Sequence, residues 1–227
     1  MLRLLFIIST LLLMGCPPTI TIEEPIVPSL EEDLGAFQLG AIARNFIPYQ
    51  TVNTLVFITE DSTEYNFIMT APQYIDNSSF QDIYPNPDDP EQSVYYRYNS
   101  DMQRFTFITS ELGARFDLEV RSSICGDPQL LTEDIVFDFL HIRGTGFNSA
   151  DITVLPAGFQ LDITRDNFCG NGQRIPQFNA LGKNFTNVYS QSIDIYDTGF
   201  LRVFFNQTEG IVAFETPELF AVLDRKF

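Results

Sequence analysis

From Ala36 to the C-terminus, runs of β-branched and aromatic residues alternate with clusters of turn residues, and a helical apolar period persists almost nowhere over a dozen positions. A strand sends successive side chains to opposite faces, so this patterning builds sheet and leaves little room for helix. Strands are expected at Ala36 to Asn45, Thr51 to Thr59, Glu64 to Thr70, Val94 to Asn99, Arg104 to Ser110, Arg115 to Ser122, Ile135 to Arg143, Asp151 to Leu155 and Gly158 to Thr164. Phe178 to Leu181, Lys183 to Asp194, Gly199 to Asn206, Gly210 to Glu215 and Leu219 to Asp224 complete the set. Glu60-Asp61-Ser62-Thr63 and Gln207-Thr208-Glu209-Gly210 have hairpin-turn composition, which predicts sequential antiparallel pairing. Parallel pairing calls for crossover helices that the pattern does not contain. The proline-rich, acidic stretch Pro72 to Ser93 reads as a long loop. The tail after Thr216-Pro217-Glu218 reads as a strand in preference to a capped helix. The expected fold is mainly β: a single antiparallel domain, barrel-like or sandwich.

Ahead of this region, Arg3 is followed by an almost unbroken apolar run from Leu4 to Met14, then by Gly15 and Cys16. A positive start, a short apolar stretch and a small residue at its end make a secretory leader. A membrane-spanning helix needs roughly 20 apolar residues, and Pro17-Pro18 ends this run sooner. Leu13-Met14-Gly15-Cys16 resembles the lipobox of bacterial lipoproteins. The resemblance implies cleavage before Cys16, diacylation of its thiol, and attachment to the membrane through that lipid. Many such bacteria retain lipoproteins in the inner membrane by an aspartate after the cysteine; Pro17 stands there, implying the outer membrane, facing periplasm or cell surface. The chain then divides into a signal peptide (1–15), a lipidated cysteine with an acidic, proline-rich tether (16–35) and a β domain (36–227). Extended, the tether spans roughly 60 Å, and Ser29 to Glu32 has the form of a capping box that starts one helical turn.

Lys and Arg number 13 against 30 Asp and Glu, a net charge of −17. Nucleic acid binding draws on clustered cations, so that class of partner is excluded, as is a polybasic membrane patch. With Cys16 assigned to lipid, Cys125 and Cys169 form an even pair in an oxidising compartment and are expected to be disulfide-bonded. A bridge closing so long a loop contributes about 4 kcal/mol on the chain-entropy model.

A second resemblance lies in Asn45-Phe46-Ile47-Pro48 through Asn53-Thr54-Leu55-Val56, in Leu181-Gly182-Lys183-Asn184-Phe185-Thr186-Asn187-Val188-Tyr189, and in Val203-Phe204-Phe205 with Glu209-Gly210-Ile211-Val212-Ala213-Phe214. These stretches look like a set of uncharacterised secreted lipoproteins of Gram-negative bacteria. Leu55 and Val52 depart from the Trp and Gly those chains often carry. The resemblance implies an antiparallel β fold and no activity.

Few residues suggest chemistry. His141, the only histidine, shares a strand face with Ile135, Phe137 and Phe139, and no G-x-S-x-G elbow supplies it with a nucleophile. It reads as a partly buried, hydrogen-bonded structural residue. Asp88, Asp89 and Glu91 offer oxygen ligands for calcium without EF-hand spacing; no other cofactor is suggested. The acids permit a paired-carboxylate hydrolase, yet the absence of tryptophan removes the strongest sugar-stacking platform. The 22 Phe and 9 Tyr either pack a thick core or line an apolar cavity. The expected function is therefore a non-enzymatic interaction module with a protein partner; the alternative is a carrier of a lipid or other apolar ligand, and the third reading is a hydrolase.

Overall fold

The computed structural model describes residues 30–86, 89, 91–124, 136–146, 159–168, 172–195 and 199–227. Its strands are β1 (Leu30–Phe37), β2 (Thr54–Ile58), β3 (Glu64–Met69), β4 (Gln73–Pro85), β5 (Ser93–Thr109), β6 (Ala114–Ile124), β7 (Val136–Thr145), β8 (Phe159–Asp162), β9 (Asn167–Phe168), β10 (Gly172–Ala180), β11 (Lys183–Ile195), β12 (Gly199–Asn206), β13 (Gly210–Glu215) and β14 (Phe220–Lys226). All belong to one 14-stranded sheet in the order β10-β11-β12-β13-β14-β2-β3-β5-β6-β7-β8-β9, with β1 and β4 added at β5. The sheet curls into a nearly closed barrel. Among the described residues, the α-helix is a single turn, α1 (Ala41–Arg44). The expected antiparallel β domain is present in its barrel-like form.

The interior is built by strict alternation. Ala114, Phe116, Leu118 and Val120 of β6, Leu140 and Ile142 of β7, Leu201, Val203 and Phe205 of β12, and Ala221 and Leu223 of β14 all point into one cluster. Phe214 sits at its centre, with ring centroids 5.2 Å from Phe57, 5.7 Å from Phe67 and 5.5 Å from Phe116. Edge-to-face geometry of this kind adds about 0.5–1.5 kcal/mol per pair beyond burial. On β13, Val212 is the extra residue of a bulge opposite Phe204 and Phe205, so Ile211 and Phe214 both point inward although they are three apart.

The segment between β1 and β2 enters this cluster and fills it. Leu39, Ala43, Phe46, Ile47, Tyr49 and Val52 are buried in the core. Phe46 stacks on Phe205 at 5.9 Å, and Tyr49 meets Phe107 edge-on at 4.9 Å. The Tyr49 hydroxyl accepts a hydrogen bond from the Ile211 backbone N–H at 2.6 Å, tying the wall of β5 to that of β13. At the other end of the segment, Asp138 of β7 accepts from the Gly40 N–H at 3.0 Å and from Ser122 Oγ at 3.1 Å.

Four expectations are corrected. Pro72 to Ser93 is not one long loop: β4 occupies Gln73–Pro85 of it as an edge strand, where prolines at the margins are tolerated. Val94 to Asn99 and Arg104 to Ser110 are one strand, because Ser100 and Met102 continue the buried alternation between them. Ala36 to Asn45 is not a strand throughout; β1 ends at Phe37, and the tertiary bond from Gly40 to Asp138 starts α1. Finally, β1 begins at Leu30 inside the stretch read as tether, replaces the helical turn expected there, and pairs parallel with β5. No crossover helix is needed, because the connection runs through α1 and three antiparallel strands. The C-terminal segment is a strand, as expected, and Asp151 to Leu155 lies outside the described residues.

Two arms extend from the barrel. The first is β1, β4 and the N-terminal half of β5, whose Phe37, Phe80, Tyr84, Tyr96 and Tyr98 pack with Ile124 and Val136. The second is the β10–β11 hairpin, which covers the outer face of β12–β14 by stacking Phe178 on Phe204 at 4.6 Å. The barrel seam is joined by side chains: Gln191 Oε1 accepts from the Gln160 N–H at 2.9 Å, and Tyr189 donates to Asp166.

Candidate functional site

Of the residues singled out by sequence, Cys16, Cys125, Cys169 and Asp88 lie outside the described residues. Asp89 and Glu91 sit in the β4–β5 turn. There Asp89 Oδ1 accepts from the Glu91 N–H at 3.2 Å, and the Asp89 carbonyl accepts from the Gln92 N–H at 2.9 Å. The Asp89 carboxylate thus caps its own turn. Among the described residues no group of three His, Cys, Asp or Glu is placed to hold a metal ion.

His141 belongs to a charged belt on the outer face of the barrel, on the opposite side of β7 from Leu140 and Ile142. Strand register aligns Arg104, Glu119, His141 and Gln160 in one row, and Met102, Arg121, Phe139 and Asp162 in the next. Glu119 is 3% exposed and lies 2.7 Å from Arg104 and 3.4 Å from Arg143. Arg121 stacks over Phe80 at 4.3 Å and donates to the Tyr98 hydroxyl at 2.9 Å. Burial pushes the Tyr98 phenol up to about 12, so it remains a donor to Asp82 at 2.7 Å. Arg165, paired with Asp162, stacks over Phe137 at 3.7 Å.

The expectation of a hydrogen-bonded His141 is corrected. Its Nε2 is buried and has no hydrogen-bond partner among the described residues, and the same holds for Arg121 Nε. Burial, reinforced by the Arg121 and Arg143 charges, holds the imidazole well below the usual histidine range. It is a neutral residue wedged between cations, and the carboxylate that faces it, Glu119, is committed to Arg104 and Arg143.

A second feature was invisible as a site in the sequence. Three hairpin ends, β2–β3, β10–β11 and β13–β14, converge on an open groove of about 410 Å³ lined by Tyr65, Leu181, Leu219 and Phe220 and by Thr59, Glu60, Asp61 and Glu218. Each end is held by its own turn chemistry. Asp61 Oδ1 accepts from the Thr63 N–H at 3.1 Å and from the Thr59 hydroxyl, and these donors hold its carboxyl below the usual range. Thr216 Oγ1 accepts from the Leu219 N–H at 3.1 Å, which fixes the backbone on either side of Glu218. The residues were legible as turn formers. Their convergence depends on strands β2 and β14 pairing across the chain, and no local signal carries that.

No family model, curated protein or solved structure matches this chain.

Proposed function

We propose that the chain is a lipid-anchored, non-enzymatic interaction module of a Gram-negative outer membrane. The signal peptide, residues 1–15, is removed; Cys16 carries the lipid; the following residues space the barrel from the bilayer; and Cys125 and Cys169 form a disulfide in the oxidising compartment outside the inner membrane. Two or three acyl chains are what make such an anchor stable. The partner is a protein and not nucleic acid, consistent with a net charge of −17.

The observation that carries the module reading over the carrier is the filled interior. A β-barrel carrier holds its ligand where this chain places Phe46, Ile47 and Tyr49. The hydrolase reading finds its two most buried described acids neutralised by arginines, Asp162 by Arg165 and Glu119 by Arg104 and Arg143. Recognition then falls to the outer surface, where the groove between the hairpin ends combines apolar and acidic groups.

One variant tests both halves. Cys16→Ala is expected to move the protein from the detergent phase to the aqueous phase; its staying with detergent refutes the anchor. The same detergent-free protein is expected to show its bare mass in native mass spectrometry. A stoichiometric extra mass that leaves on denaturation overturns the module reading in favour of the carrier.

A further inference from the structure

We infer that the groove between the three hairpin ends docks a cationic amphipathic segment of a partner protein. Apolar side chains of that segment would rest on Leu181, Leu219 and Phe220, and its Lys or Arg side chains would face Glu60, Asp61 and Glu218. The inference rests on the module reading and names the partner's chemistry.

The argument is one of charge accounting. Every Lys and Arg of the described residues except Arg121 is in an ion pair with a carboxylate, and Arg121 is engaged by Tyr98 and Phe80. The cations beside the groove follow the rule. Lys183, two residues from Leu181, is 2.7 Å from Asp224. Arg225 donates to both oxygens of Glu64, next to Tyr65, at 3.0 and 2.9 Å. Glu60, Asp61 and Glu218 line the groove without an ion pair among the described residues. Asp61 is kept ionised by its threonine donors. A rim of unneutralised carboxylates draws cations, while the leucines and the phenylalanine reward an apolar side chain and give a bare metal ion nothing.

The same accounting removes two other occupants. A second copy of the chain brings described cations that are already paired. Residues 17–29 of the chain itself contain Glu23 and Glu24 and no Lys or Arg. What remains complementary is a foreign segment that alternates basic and apolar residues.

The test uses the Cys16→Ala chain and a fluorescent peptide alternating Lys and Leu, read by anisotropy. Binding is expected to weaken as salt rises. Neutralising the rim with Glu60→Gln, Asp61→Asn and Glu218→Gln together is expected to weaken binding about tenfold. A control that removes as many charges from residues that do not line the groove, Asp76→Asn, Asp89→Asn and Glu91→Gln, is expected to shift it less than about twofold. A peptide alternating Lys and Ser is expected to bind more weakly than the Lys-Leu peptide, reporting the apolar floor. All six substitutions are on exposed or turn positions, and matching thermal midpoints verify folding. Equal losses in the two triple variants would mean that binding follows net charge alone, which overturns the groove; so would full binding by the rim variant. In either case a bare native mass leaves the module reading standing, whereas a bound ligand in that experiment removes it independently of the peptide.

Discussion

On the inner face of β6, Ala114, Phe116, Leu118 and Val120 are buried among apolar side chains; on its outer face Glu119 and Arg121 are buried almost as deeply, among charges. The two faces share one backbone and one degree of burial, and differ in what removes them from water. Inside, stabilisation comes from non-directional contact and grows with area, at about 25 cal/mol per Å². Outside, each desolvated charge is tolerable only while its partner is in place. The inner face should therefore answer to volume and the outer face to pairing and protonation.

The largest effect is expected where the comparison is most one-sided. Phe214→Ala removes the ring on which Phe57, Phe67 and Phe116 converge, and is expected to lower the unfolding free energy by about 3–5 kcal/mol in urea denaturation. Phe214→Leu should cost markedly less, because it keeps most of the volume. Equal costs for the two variants would mean that edge-to-face geometry, and not filling, governs the interior.

Tyr49→Phe sharpens the comparison from within the core, since it keeps the ring and deletes one polar atom. The Ile211 N–H would lose its acceptor inside the barrel, at an expected cost of about 1–3 kcal/mol. Loss of less than about 0.5 kcal/mol would show that water reaches this bond and that the interior is not sealed. The fit is tight in a second way: a Cβ on Gly210, which has φ +87°, would lie 1.9 Å from the Tyr49 hydroxyl, so that turn admits no side chain.

How much of this was legible in the sequence follows the same division. Alternation marks β6, β12 and β14, because one face of each meets apolar neighbours and period two survives. It fails at β4 and β1, edge strands whose packed face is only half-buried and whose identity comes from their partner β5. It also misassigns residues 38–45, where a bond between Gly40 and Asp138 decides the local structure. His141 was legible only as partly buried, and period two could not say which side of the sheet was the core, so the belt it joins with Glu119 and Arg143 was hidden. The groove was hidden for a related reason: three turns of ordinary composition become one surface only after β14 pairs with β2.

The smallest expected effect belongs to the outer face and appears only as a slope. His141 is neutral in the folded chain because burial and the neighbouring Arg121 and Arg143 oppose a further positive charge. Around it stand Glu119 of β6, already shared between Arg104 and Arg143, Phe139 of its own strand, and Gln160 of β8. In the unfolded chain the imidazole titrates near about 6.5. A base whose folded pKa is depressed binds fewer protons when folded, so the unfolded state gains on acidification. No penalty exists well above about pH 6.5, and stability falls as pH drops below it, by at most about 1.4 kcal/mol per pH unit. Ordinary carboxylates take up protons only near pH 4, and His141 is the only histidine, which leaves the interval from about pH 6.5 to 5 to this side chain. Unfolding free energies of wild type and His141→Gln across that interval are expected to diverge, with the wild type sloping downward toward acid and the variant nearly flat. Parallel curves would mean that the folded imidazole protonates freely, and that the outer belt is open to water in a way the inner face is not.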